Sequence, residues 1–238
     1  METFEIVLKS IKRNYWFISC DLQNLYFSLF IHMSHRKYLR FEWNDKLYQF
    51  NCLCFGISCA PRVFTKLMKV IFAHIRKMGI LSFFYIDDSL VQAQSPGSCK
   101  EHADILLGTL SDLGFYINFE KSNFVPTTRI VYLGHIIDSV AFKVFLPGEK
   151  IQKILSVCEK VLLAKKLTIR NVSHLIGLFT SARNAIRLSP LFYRYLNRDK
   201  VKALANSNND FDMEMKLTQE AKSEIVWWQE NIHLKNAS

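Results

Sequence analysis

The chain has 238 residues, half of them hydrophobic, and a formal charge of +10. That length buries a sizeable core, in one large domain or two small ones, and no uninterrupted apolar window is long enough to span a membrane. Residues 143–202 hold 13 Lys/Arg against 3 Asp/Glu, and so carry the whole excess, while residues 1–142 (15 against 12) and 203–238 (3 against 6) cancel. So contiguous a cationic segment suggests a polyanion, most often nucleic acid; the alternative is a helical segment with solvated lysines.

In chain order, METFEIVLKSIKRNYWF carries acids early and lacks a signal-peptide pattern. The expectation is an intracellular protein, cytoplasmic or nuclear, neither secreted nor membrane-bound. YWFISCDL is a short apolar strand ending in Asp21. Residues 37–43 alternate and read as a strand, 46–53 as its antiparallel partner, with Asn44-Asp45 in the turn. Six cysteines make no CxxC pair. Cys52 and Cys54 share one face of the second strand, where buried thiols are the default reading and zinc the alternative. A helix follows, with Pro61 in its first turn, a stripe of Val63, Phe64, Leu67, Val70, Ile71 and Ile75, and Gly79 as its stop.

Residues 81–93 read as a β-hairpin with Asp87 and Asp88 at its tip. Ser98 and Glu101 suggest a capping box for a helix with stripe Ile105, Leu106, Leu110 and Leu113, stopped by Gly114. A strand pair is expected over 130–138 and 142–146. Pro147 then opens a helical region, with helices over 148–165, 168–186 (N-cap Thr168) and 190–197. Residues 205–210 are a polar break, and 217–232 read as one more capped helix. The order gives an α+β first half, a basic helical second part and a short tail.

Two adjacent carboxylates at a hairpin tip repel each other, and desolvation raises the cost of ionising both. A solvated turn is one reading; a cation held between them is the other. Hard oxygen ligands in an open site suit Mg²⁺, and Asp21, at the end of its own strand, is a candidate third ligand. Two ions bridged by carboxylates serve in-line nucleotidyl transfer, so the residues suggest a polymerase or a nuclease.

At this point the sequence resembles a family. FFYIDD within a hydrophobic hairpin looks like the YxDD box of reverse transcriptases, and other palm motifs stand around it in order. FISCDLQNLYFSLFI is similar to the first motif and YQFNCLCFGISCAPRVFTKLM to the second. LGFYINFEKSNF resembles the fourth, and VYLGHIID the primer-gripping fifth. The wording is nearest to DIRS-like and gypsy-like retroelements. The resemblance implies an α+β polymerase palm, an antiparallel sheet packed on helices, followed by a helical thumb. Residues 1–146 would be palm with the fingers largely missing, 147–204 thumb, and 205–238 the start of a connection toward an absent RNase H domain.

It further implies an RNA-directed DNA polymerase using two Mg²⁺ or Mn²⁺ ions, a dNTP, and an RNA or DNA template with its primer. Asp21, Asp87 and Asp88 would be the metal-binding carboxylates, and Lys121 would assist pyrophosphate departure. Leu22, Gln23 and the backbone to Leu25 would cradle the triphosphate, and Tyr26 would exclude a ribose 2′-hydroxyl. Phe55 and Gly56 would lie against template and nucleotide, and Tyr132, Leu133 and Gly134 would line the primer grip. Lys150, Lys153, Lys165, Lys166, Arg170, Arg183 and Arg187 would track phosphates. Departures stand beside these matches: Gln23, Asn24 and Leu25 replace a lysine, an acid and a small residue, and Cys54 and Cys59 replace a proline and a serine. They support an alternative, a catalytically inactive truncated remnant that at most binds nucleic acid.

Overall fold

A computed structural model describes residues 2–237. The chain divides into two compact units, residues up to Leu133 and residues from Gly134.

In the first unit, helix α1 (Phe4–Ser10) leads into strand β1 (Trp16–Gln23). The buried amide of Gln92 pins the connection, accepting from Lys12 N–H and donating to the Ser10 carbonyl. Strands β2 (Arg40–Trp43) and β3 (Lys46–Gln49) form a separate hairpin. Its turn residues Asn44 and Asp45 both take positive φ, the backbone that a tight two-residue hairpin needs. The strand expected from residue 37 starts only at Arg40, because Met33–Leu39 coil into a 3₁₀ helix.

Helix α2 (Ala60–Lys77) starts with Pro61 in its first turn, where its missing N–H costs nothing. Its buried face is Ala60, Phe64, Met68, Ile71, Phe72 and Ile75. Val63 and Val70, expected in the stripe, are exposed. The sheet takes the face holding the larger side chains, and the β-branched pair is left on its flank. Strands β4 (Leu81–Tyr85) and β5 (Asp88–Ala93) make the expected acid-tipped hairpin. Helix α3 (Pro96–Asp112) starts three residues earlier than the Ser98–Glu101 capping box implied. Ser95 is the cap, accepting from Ser98 N–H, and Pro96 fills the first turn. Its buried face is Cys99, Ala103, Leu106 and Leu110, with Leu113 exposed.

Strand β6 (Tyr116–Thr127) has no strong alternation and was not expected as a strand. It pairs antiparallel with β1 through two register shifts, and the sheet runs β4-β5-β1-β6. Such irregularities bend an edge strand and re-aim its side chains, which hides the period-2 signal in sequence. Strand β7 (Arg129–Tyr132) closes this unit. The single strand expected over 130–138 is broken, since Leu133 and Gly134 both adopt positive φ. Helices α2 and α3 pack Phe64, Phe72, Leu106 and Leu110 against Leu22, Phe84 and Val91 of the sheet.

The second unit begins with the paired strands β8 (His135–Asp138) and β9 (Lys143–Phe145). Helices α4 (Gly148–Leu163) and α5 (Ile169–Ser181) follow. Thr168 and Asn171 form a reciprocal capping box at the start of α5. The helix expected at 190–197 is a short 3₁₀ turn, Ser189–Leu191, followed by α6 (Arg194–Asn206). Helix α7 (Gln219–Asn231) carries Trp228, whose ring stacks on Phe179 at 4.1 Å and whose indole N–H donates to the Phe192 carbonyl at 2.8 Å. No helix among the described residues is long and apolar enough to cross a membrane.

Candidate active site

Antiparallel pairing of β1 with β5 puts Asp21 directly opposite Asp88. The ladder continues one step past the strand end, where Leu22 N–H donates to the Asp87 carbonyl at 3.0 Å. Asp21 and Asp88 on two strands, and Asp87 in the turn, therefore stand at one end of the ladder. Ile86, at the hairpin tip, has φ +55°, which costs a β-branched residue free energy and marks a tightly determined turn.

The acids feel one another. Desolvation, reinforced by Asp87 and then Asp21, pushes Asp88 up to about 6, with Lys121 opposing. Asp21 is also raised, by desolvation and then Asp87, against the pull of Lys121 and a hydrogen bond from Asn118. Asn118 is the β6 partner of Asp21, and Ser122 Oγ accepts from Asp21 N–H at 3.0 Å. Lys121 is thus brought to the acids by the irregular strand β6. Asn118 and Ser122 were missed from sequence. The only clue was their place in YINFEKSNF, flanking that lysine. The donor set of three carboxylates opposed by one lysine is chemically suited to a divalent cation. Among the described residues, however, no three metal-ligating side chains are drawn into one group.

Tyr26 lies in the 3₁₀ turn Leu25–Ser28, almost fully buried, against Phe55 (5.0 Å) and edge-on to Phe64 (5.8 Å). Desolvation and then Asp87 raise its phenol. Phe55 is 59% exposed beside it. Gly56 has φ +91° with open space around it, so backbone conformation rather than crowding calls for glycine. The side chains of Leu22 and Leu25 are buried in the core, and Leu22 N–H is already paired with Asp87. Gln23 is exposed at the strand end, paired in register with Tyr116. Tyr132 is buried below the hairpin, its hydroxyl donating to the Asp88 carbonyl at 3.4 Å. Desolvation, then Asp88, drives that phenol far above its usual range.

The family described as "Reverse transcriptase (RNA-dependent DNA polymerase)" matches residues 2–137, more than half of the chain. The chain belongs to the reverse transcriptase family. An enzymatic polyprotein of soybean chlorotic mottle virus is 28% identical over 134 residues, 55% of this chain and 18% of that protein. The Pol polyprotein of the gypsy transposon of Drosophila melanogaster is 23% identical over 137 residues, 58% of this chain and 13% of that protein. The chain therefore spans under a fifth of the length of these relatives. The fold extends the likeness over the second unit. A foamy viral protease-reverse transcriptase solved with double-stranded DNA matches with TM-score 0.79 and 18% identity, over all of this chain and 38% of that one. Another, solved with an RNA/DNA hybrid, matches at 0.76 and 19%, over 95% of this chain and 28% of that one. The fold class is the expected α+β polymerase fold.

Of the seven cations of the second unit expected to track phosphates, Lys153, Lys165, Lys166, Arg170, Arg183 and Arg187 are exposed in this reverse transcriptase fold. Three of the seven have these partners within the unit. Lys150 is half-buried, its Nζ donating to the carbonyls of Gly134 (3.3 Å) and Ser181 (3.1 Å). Arg170 makes a two-pronged pair with Asp212 (2.6 and 2.9 Å), and Lys166 lies 3.5 Å from Glu214. Asp212 and Glu214, after α6, thus pair with cations at and just before the start of α5. The six cysteines are free thiols.

Proposed function

We propose that this chain carries the nucleotidyl-transfer site of an RNA-directed DNA polymerase, in which a primer 3′-hydroxyl attacks the α-phosphate of a dNTP. The observation that carries the reading is the register of Asp21 opposite Asp88 with Asp87 at the same ladder end. Asp21, Asp87 and Asp88 would hold two Mg²⁺ or Mn²⁺ ions, which would supply Lewis-acid activation of the hydroxyl and charge neutralisation of the leaving phosphate. The raised Asp88 and Asp21 support this, because carboxylates that cost free energy to ionise together are stabilised by a bound cation.

The chain's own residues would do the rest. Tyr26, fixed between Phe55 and Phe64, would present a rigid wall to the sugar and exclude a 2′-hydroxyl. Phe55, exposed beside it, offers a ring face to a base. Lys121 would place positive charge, and a proton, near departing pyrophosphate. Tyr132 would hold the hairpin from below through the Asp88 carbonyl. The exposed cations Lys153, Lys165, Arg183 and Arg187 would follow template–primer phosphates without reading sequence.

Primer extension on an RNA template with Mg²⁺ or Mn²⁺, beside the Asp87→Ala/Asp88→Ala variant, tests the reading. Extension that the variant abolishes is expected. No extension by either chain, with nucleic acid still bound, favours a remnant that binds without catalysing.

A further inference from the structure

Helix α2 carries a feature that the proposed chemistry does not use. Between Asp45 and Asp87 the sequence contains no acid, while Lys46, Arg62, Lys66, Lys69, Arg76 and Lys77 are all cations. Three of them, Arg62, Lys66 and Lys69, recur at steps of four and three, so they share one helix face in a single row. That row extends about 10 Å along the axis at 1.5 Å per residue. All three are exposed, and none makes an ion pair or side-chain hydrogen bond among the described residues. By contrast, Arg76 on the same helix is taken up by Glu2 and the Ser82 carbonyl.

The row borders a cleft of about 510 Å³, also lined by Ser58, Pro61 and Thr65. Thr65 turns its hydroxyl back to the Pro61 carbonyl at 2.6 Å, so the floor is low and the cations form the rim. Ser58 lies two residues after Gly56, so the lining begins close in sequence to Phe55 and continues along α2 to Lys69. An ordinary solvent face of a helix interleaves both signs, because opposite charges at these spacings stabilise it and like charges destabilise it. A one-sign row beside a cleft costs the helix a few tenths of a kcal/mol per like-charged pair, about 0.2–0.5, and an anionic partner would relieve that self-repulsion.

We propose that the Arg62–Lys66–Lys69 row binds the phosphodiester backbone of a single nucleic-acid strand leading to or from the site. A single row of point charges fits one strand better than the two flanking backbones of a duplex. The placement rests on the proposed polymerase reading for the identity of the strand, but the two claims fail separately.

The test compares the whole chain with its Arg62→Gln/Lys66→Gln/Lys69→Gln variant in binding a fluorescent oligo-dT strand, from about 50 to 200 mM salt. Three lost phosphate contacts should make the slope of log K against log salt shallower by about 2, at about 0.7 per contact on a single strand. Each single variant should remove about 0.7, which keeps the test decisive if the triple variant folds poorly. A slope unchanged by the substitutions overturns the proposal, as does a wild-type chain that fails to bind the strand. So does a slope change confined to a duplex probe. Primer extension that persists beside an unchanged slope would overturn this surface alone. A changed slope in a chain that never extends a primer would retain the surface and remove the polymerase.

Discussion

Replacing Glu224 by alanine should be among the most damaging single changes in the second unit. Glu224 belongs to α7 and is only 6% exposed. Its two oxygens accept from the Tyr195 and Leu196 N–H groups at 3.0 and 2.9 Å, so one buried carboxylate caps the N-terminus of α6. In return Asp199 of α6 accepts from the N–H and hydroxyl of Thr218, the N-cap of α7, at 2.8 and 2.7 Å. Glu224 of α7 thus caps α6, and Asp199 of α6 in turn braces the residue that caps α7. Hydrogen bonds to a charged group contribute about 1.5–3 kcal/mol each, and the two N–H donors left behind have no alternative partner in the helix. Release of the buried charge back to water offsets part of that loss. Glu224→Ala should therefore cost about 3–4 kcal/mol, and Glu224→Gln, which keeps one good acceptor, about 2. Urea unfolding followed by tryptophan fluorescence reads this directly, because Trp228 is buried next to the lock. With a slope of about 2 kcal/mol per M, the alanine midpoint should fall by about 1.5–2 M. The double variant with Asp199→Ala should cost less than the sum of the singles, since both pins join the same two helices. A Glu224→Ala cost under about 0.5 kcal/mol would refute the reciprocal-cap reasoning, since that is the range of an ordinary surface substitution.

The remaining predictions concern the site and the thiols. On the proposed reading Tyr26→Phe should keep discrimination against ribonucleotides, because bulk rather than the hydroxyl would form the wall, whereas Tyr26→Ala should relax the dNTP-to-rNTP incorporation ratio at least about tenfold. Equal ratios for the two variants would remove Tyr26 from that role. Toward a thiol reagent at pH 8, exposed Cys59 should react first and half-buried Cys52 next. Burial pushes Cys20 and Cys158 up to about 12 and Cys99 to about 11, so these thiols stay protonated at pH 8 and should react only on unfolding. Raising the pH from 7 to 9 should leave these three silent. Fast labelling of Cys158 in the native chain would contradict the packing of α4.

The parts legible in sequence were those governed by local signals. The acid-tipped hairpin followed from two apolar runs flanking Asp87 and Asp88, and the β2–β3 turn from Asn44-Asp45. The start of α2 followed from Pro61, and the cap of α5 from Thr168. The elements misjudged were those in which local signals compete. Ser98 with Glu101 outlined a capping box, yet Ser95-Pro96 three residues earlier both caps and pre-sets the helix, and it prevailed. Residues 130–138 kept a strand's apolar content, but the positive φ of Leu133 and Gly134 breaks them into two strands, and leucine gives no sign of accepting that conformation.

The sequence alone determined the types of residue available for chemistry: three carboxylates, one lysine in the fourth motif, and a cationic second half. Their grouping depended on long-range pairing, which no local pattern contains. Asp21 and Asp88 are 67 positions apart in the chain and become neighbours only through the β1–β5 register. Lys121 and Asn118 reach the same acids only because β6 shifts register along β1. The net charge of residues 143–202 was likewise fixed by composition, but which of these cations meet a partner was decided by tertiary contacts. Arg170 and Lys166 are met by Asp212 and Glu214, and Lys150 by two carbonyls. Charge adds along a chain regardless of folding, whereas pairing depends on which side chains the fold brings within a few ångströms.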